Sequence, residues 1–293
     1  MDQRIFSLLE KVSQEDIESI LNKLSNFHTR HSKSILINEA SGWILNELKG
    51  LGYKDVKYHR FKETIDNQDY ELKNIVCKKK GLDDKVVIVC AHYDSRMENL
   101  KDSTNRAPGA NDNASGVSAI IEIAKVLFNE KLQHSLQFVL FAGEEQGQLG
   151  SKNYAKYIKD NRINLYRLIN LDMIGYPYLN QRTVIIERDN NSDPIHNAVK
   201  KNDDKSIEFG EVMKEMTPHT DLQFQLDSIY DSDYEPFEAE GYVVIGVYDG
   251  SAEKNNPHYH SSSDLPSFIN WKFLTCVTKL VLATVLKISL GKI

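Results

Sequence analysis

Short unbroken apolar runs alternate along the chain with longer segments whose apolar side chains recur every three or four positions. Val86–Ala91 (VVIVCA) is the clearest run. A strand covered on both faces meets no water, so it loses the usual alternation and reads as continuous apolar sequence. Leu136–Ala142, Leu168–Met173 and Val243–Tyr248 read the same way. Between the first two, Ala114–Phe128 sets Val117, Ile120, Ile121, Ala124 and Leu127 on one helical stripe. Leu149–Ile158 predicts a further helix, and Leu265–Leu290 one long helix or two short ones.

Nearer the N-terminus, Ser13 and Asp16 have the spacing of a capping box, and Ile17, Ile20, Leu21 and Leu24 follow at helix spacing. A second helix is expected over about Ile37 to Leu48, stopped by Gly50 and Gly52, and extended segments over Val56–Phe61 and Tyr70–Lys78. Strands alternating with helices predict an α/β fold, a mixed, largely parallel central sheet flanked by helices as an α/β/α sandwich. The polar stretch Glu187–Glu208 reads as an excursion over the surface. With no repeat and no Pro/Gly/Ser linker, residues 1–293 are expected to form one domain, with helices of about residues 1–50 packed on the sheet.

Composition narrows the class. Hydrophobic residues make up 41% and charged residues 27%, which suits a globular core and rules out collagen-like or wholly disordered chains. The net charge of −6 argues against a nucleic-acid surface, and Lys78–Lys80 read as a strand end entering a turn. Three cysteines cannot all pair within the chain, and Cys77 and Cys90 sit in apolar runs like buried thiols. No signal peptide is visible, and the C-terminal apolar stretch is broken by Lys279 and Lys287. The expectation is a soluble, cytoplasmic protein without a transmembrane segment, with export of a processed form left open; oligomeric state is not legible.

The candidate chemistry lies where the strands stop. Val86–Ala91 runs into His92-Tyr93-Asp94, Leu136–Ala142 into Gly143-Glu144-Glu145, and Leu168–Met173 carries Asp172. Asp112 sits in GANDNASG, just before the Ala114 helix. Taken singly, each piece has an ordinary reading: a turn, a solvated Glu pair, a helix cap. Taken together they place acids at three strand ends, where ligands of open α/β sheets gather. A shared cation accounts for all of them, and imidazole with carboxylate suits zinc, with manganese or cobalt as alternatives.

AHYDS (91–95), GANDNASG (109–116), FAGEEQGQLGSKNYA (141–155), NLDMIG (170–175), SDYEPF (232–237) and YHSSSD (259–264) occur in that order. Together they resemble the M28 family of zinc aminopeptidases, from about residue 70 to the C-terminus. The resemblance implies a single catalytic domain of zinc-peptidase type. It implies two divalent metal ions, zinc foremost, one on His92, Asp112 and Asp172 and the other on Asp112, Glu145 and His260. Glu144 falls on the general base, Asp94 on the carboxylate that holds His92, and Tyr259 on a candidate donor to the tetrahedral intermediate. On spacing alone His258 and His260 are interchangeable; the position before SSSD favours His260.

The resemblance further implies peptide substrates with a free N-terminus, whose first side chain fills an apolar pocket. Met213, Met216, Phe224 and Leu226 either line that cleft or belong to an ordinary packed loop. Disulfides that brace the cleft of secreted relatives have no counterpart, since 212–233 contains no cysteine. The competing readings are a glutaminyl cyclase-like acyltransferase, another metal-dependent amidohydrolase or carboxypeptidase, and a non-catalytic binding module.

Overall fold

The computed structural model describes residues 3–178, 182–190, 195–251 and 255–289. Helices α1 (Gln3–Leu9), α2 (Gln14–Ser25) and α3 (Leu36–Gly50) lead into hairpin strands β1 (Asp55–Ile65) and β2 (Gln68–Lys79). Then follow β3 (Val86–His92), α4 (Ser115–Leu127), β4 (Ser135–Phe141), α5 (Leu149–Asp160) and β5 (Leu165–Leu171). The remainder is β6 (Thr183–Arg188), α6 (Asp203–Lys214), β7 (Gln223–Ser228), α7 (Glu235–Ala239), β8 (Val244–Tyr248) and α8 (Trp271–Ser289).

These strands form one eight-stranded sheet in the order β1-β2-β4-β3-β5-β8-β6-β7. The four inner strands β4, β3, β5 and β8 run parallel, while β2 joins β4 and β6 joins β8 antiparallel. The sheet is therefore mixed with a parallel centre, as expected. Every residue of β3 is buried, and successive residues serve opposite cores. Val87, Val89 and Ala91 pack with the layer that includes α2, α3, α4 and α8, whereas Val86, Ile88 and Cys90 pack beneath α5 and α7. Burying each such Val or Ile side chain contributes about 1.5–3 kcal/mol, which is why the run had to lack polar breaks.

At the N-terminus, Ser13 Oγ accepts the Asp16 amide and caps α2, whose Ile17, Leu21 and Leu24 are fully buried. Helix α2 packs on α4, and α1 on α8. The C-terminal segment is one helix that begins at Trp271; Pro266–Phe268 forms a separate tight turn, and Leu290 lies outside the described residues.

One expectation needs correction. Glu187–Glu208 is not simply a surface excursion: its first residues end β6 and its last ones start α6, although 191–194 lie outside the described residues. Asp189, Asn202 and Ser206 are buried and bonded to one another, the Asp189 amide to Ser206 Oγ at 2.8 Å and Asn202 Nδ2 to Asp189 Oδ2 at 2.8 Å. Polarity here marks an interior hydrogen-bonded network, although Asp189 Oδ1 and Asn202 Oδ1 are buried without a partner. Met213 and Met216 belong to the hydrophobic core beneath β6, not to a cleft, and Phe224 is an exposed residue of β7.

Candidate metal centre

The parallel strands β3, β4 and β5 all end at one edge of the sheet, and the candidate residues meet there. His92 is the last residue of β3, Asp172 follows β5 directly, and Glu144 and Glu145 follow β4 after Gly143. Asp112 comes from the irregular turn Ala110–Ala114 that feeds α4. Gly109 opens that turn at φ 51°, where a Cβ would meet Asp112 O at 2.2 Å, so only glycine fits. His260 arrives from the segment before α8, itself at φ 49°.

Ligand-capable atoms fall into two groups that share Asp112. His92, Asp112 and Asp172 offer atoms within 4.8 Å of one another, and so do Asp112, Glu145 and His260. His92 Nε2 lies 3.2 Å from Asp112 Oδ1 and 3.2 Å from Asp172 Oδ1. His260 Nε2 lies 3.0 Å from Asp112 Oδ2 and 3.1 Å from Glu145 Oε2, yet without hydrogen-bond geometry to either. Zinc–ligand bonds of about 2.0–2.1 Å set tetrahedral donor atoms about 3.3 Å apart. The observed separations match that edge length, and a nitrogen aimed between two carboxylates without bonding either is what a shared cation would require. Glu145 Oε1 is likewise buried without a hydrogen-bond partner. The residues present therefore fit a metal.

Electrostatics point the same way. Burial works against a charged His92, but Asp172, Asp112 and Asp94 outweigh it and raise its pKa. His260 is lifted to about 9: burial opposes the charge, and Glu145 and Asp112 prevail. Burial raises Glu144 well above the usual carboxylate range, with Asp172, Glu145 and Asp233 adding to it against His92. Burial also pushes Asp233 up to about 7, and neither of its oxygens is hydrogen-bonded. Acids crowded this closely demand a cation, either protons or a metal.

Surrounding groups hold the donors in place. Asp94, fully buried, accepts the amides of Glu144 and Glu145 at 3.2 Å each and stands 3.6 Å from His92 Nδ1. Asp264 accepts the amides of Asn111 and Asp112 at 2.9 and 3.0 Å. Ser232 Oγ donates to Asp172 Oδ2 at 2.6 Å, and Arg96 Nε to Glu145 Oε2 at 2.6 Å. Tyr259 stacks on His260, with ring centroids 3.5 Å apart. His258 stands outside both groups, stacked on Phe268 with Nδ1 2.9 Å from Ser263 Oγ. Asp264, Ser232 and Arg96 were not singled out from sequence. Asp264 and Ser232 lie within quoted motifs, whereas Arg96 carries no signal of its own.

A cleft of about 280 Å³ opens over the two groups, lined also by Arg96, Glu144 and Tyr259. A second cavity of about 170 Å³ adjoins it and shares Asp172, Met173, Asp231 and Tyr259.

A covered sheet carrying two metal-capable His/Asp/Glu groups at the carboxyl ends of its parallel strands defines a metalloenzyme of α/β type. The chain belongs to peptidase family M28, whose family model matches residues 74–285. It is 27% identical to a probable zinc metalloprotease of Phaeosphaeria nodorum over 97% of this chain and 68% of that one. A probable zinc metalloprotease of Pyrenophora teres f. teres is 34% identical over 59% of this chain but only 41% of its own length. A probable leucine aminopeptidase of Trichophyton verrucosum is 26% identical over 98% and 76%.

Among solved structures, the LapA aminopeptidase of Legionella pneumophila has the same fold, with a TM-score of 0.81 at 19% identity over 99% of this chain and 75% of that one. The glutaminyl cyclase of Porphyromonas gingivalis shares it too, with a TM-score of 0.77 at 18% identity over 94% and 98%. Among the described residues no helix is long and apolar enough to cross a membrane.

Proposed function

We propose that this chain is a two-metal aminopeptidase, cleaving the N-terminal peptide bond of peptides with a free N-terminus. The observation that carries the reading is the pair of three-residue donor groups sharing Asp112, with Glu144 beside them but in neither. His92 and Asp172 would hold one ion, Glu145 and His260 the other, and Asp112 both. Bound divalent ions, zinc foremost, would supply Lewis-acid polarisation of the scissile carbonyl and an acidified water. Asp112, Asp172 and Glu145 together carry −3 against +4 for two such ions, so the donor set nearly neutralises the pair.

Glu144 performs the proton transfers. Its Oε2 lies 4.0 Å from His92 Nε2, close enough to face the same water while outside both donor groups. It takes the proton of the attacking water and delivers it to the leaving amine. Asp94 fixes the Glu144–Glu145 turn through two amide hydrogen bonds and faces His92 Nδ1, which sets the ring's tautomer. Tyr259 is the proposed hydrogen-bond donor to the tetrahedral intermediate, a reading supported by its position on the cleft wall beside His260. Residues 1–293 act as one catalytic unit, since the cores beneath α2 and α4 are continuous.

The test is a panel of unblocked and N-acetylated chromogenic amides, run before and after chelation and after zinc or manganese is restored. Cleavage confined to unblocked substrates, lost on chelation and regained with metal, is expected at about two ions per chain. Activity that survives complete chelation would refute the reading. Conversion of N-terminal glutaminyl peptides to pyroglutamyl peptides with release of ammonia, at one ion per chain, would select the cyclase instead.

A further inference from the structure

The cavity beside the metal cleft has walls of Tyr230, Tyr234, Tyr248 and Tyr259, and Glu187 reaches it from the end of β6. Among the described residues no lysine, arginine or histidine lines it. Glu187 lies opposite Gly246 of β8 in the sheet register. A Cβ at position 246 would fall 2.2 Å from Glu187 Oε2 and 2.6 Å from the Tyr234 ring, so a glycine there makes room for the carboxylate.

The carboxylate is short of partners. Tyr234 Oη lies 3.0 Å from Glu187 Oε2 and 2.8 Å from Tyr230 O, but the hydroxyl has one proton for the two acceptors. Among the described residues no cationic side chain pairs with Glu187. Half-enclosed by aromatic walls, the group is raised by burial to about 8 and holds a proton at neutral pH when alone, whereas a cation beside it favours the carboxylate form. Tyrosine faces add attraction for that charge, and their rings accommodate an apolar stem.

We propose that this cavity receives the side chain of the substrate's first residue and that Glu187 selects a long cationic one, lysine or arginine. The assignment rests on the aminopeptidase reading, because it takes the metal cleft as the place of the scissile bond. The cavity shares Asp172 and Tyr259 with that cleft, which sets it one side chain's length from the donors. At about 170 Å³ it has room for a side chain as long as that of lysine. It departs from the apolar pocket that the family resemblance implied.

The experiment measures kcat/KM of the zinc-loaded full chain on unblocked 4-nitroanilides of lysine, arginine, norleucine and leucine, for wild type and Glu187→Gln. Wild type is expected to favour lysine over norleucine at least about tenfold, since the two differ in little but the charge. In Glu187→Gln the lysine-to-norleucine ratio should fall at least about thirtyfold. Equal use of lysine and norleucine by wild type, or an unchanged ratio in the variant, overturns the proposal. A parallel calorimetric arm titrates lysinamide and norleucinamide into zinc-loaded Glu144→Gln, alone and combined with Glu187→Gln. Tighter lysinamide binding that vanishes with Glu187→Gln supports it; equal binding overturns it. If no nitroanilide is cleaved, the hydrolase reading falls, and the binding arm still decides the role of Glu187.

Discussion

Removing the Asp94 carboxylate, as in Asp94→Ala, separates two jobs that a single buried group performs. Asp94 accepts the amides of Glu144 and Glu145 at 3.2 Å each, and no solvent reaches it. The alanine leaves both amides without their acceptor, at a cost of about 1–3 kcal/mol apiece, or about 2–6 kcal/mol together. Some of that is offset, because Asp94 also repels the buried Asp233 carboxylate. The buried Arg30 attracts Asp94 and limits the offset. The expected loss for the metal-free protein is thus about 2–4 kcal/mol, a large share of the roughly 5–15 kcal/mol typical of folded proteins. Urea unfolding of chelated protein reads it directly. Zinc affinity, followed by competition with a chromogenic chelator, should drop a further 10–100-fold, or about 1.4–2.8 kcal/mol, because His92 loses the group facing Nδ1. Asp94→Asn, which keeps one acceptor oxygen, should fall between the two. A metal-free Asp94→Ala protein within about 0.5 kcal/mol of wild type would refute the claim that these amide bonds hold the Glu144–Glu145 turn.

Glu144→Gln should bind zinc as wild type does while losing turnover by about 10²–10⁴-fold, checked by metal analysis beside steady-state kinetics; near-normal turnover excludes it as the base. Gly246→Ala forces Glu187 and the Tyr234 ring to shift, and should cost about 1–3 kcal/mol in urea unfolding. Burial raises the Asp189 carboxyl to about 7, helped by Glu238 and Asp203. An acid held protonated in the fold but ionised when unfolded destabilises progressively between about pH 4 and pH 7. Asp189→Asn should flatten the stability profile over that window, and an unchanged slope in melting runs at several pH values would contradict the assignment. Zinc affinity should weaken as pH falls, because protons compete for His92 and His260; a pH-independent affinity measured by chelator competition would count against imidazole ligation.

How much the sequence disclosed depended on how local the determining physics was. Strands β3 and β4 and the stripe of α4 were legible because burial on both faces, or on one helical face, writes itself into consecutive residues. Strand β7 was not, since QFQLDS lies at the sheet edge and buries almost nothing. Strand β6 went unread because its short TVII core runs directly into polar residues. Those residues are polar for an internal reason, the network of Asp189, Asn202 and Ser206, and local pattern cannot tell a buried polar network from a wet loop. Among the site residues, those at strand ends could be located from pattern alone. His260 could be separated from His258 only through the motif around it, and the structure places the two rings in different company.

Arg30 shows the remaining limit, and it bears on why so many acids can share one edge of the sheet. In the sequence it is an unremarked residue of a polar stretch. In the fold it is fully buried, its guanidinium donating to the carbonyls of Leu24, Tyr93, Pro108 and Gly109. Burial brings its pKa down to about 10, against the pull of Asp264, Asp94, Asp112 and Glu145, so it stays charged at neutral pH. The carbonyls it gathers belong to α2, to the segment after β3 and to the turn that delivers Asp112. One fixed positive charge therefore clamps three separate pieces of chain and lowers the cost of ionising the acids around it. Asp264 completes the arrangement by holding the Asn111 and Asp112 amides. The turn that delivers Asp112 is thus pinned from two sides, by Arg30 at its carbonyls and by Asp264 at its amides, and a cation that is not a metal stands behind the acids.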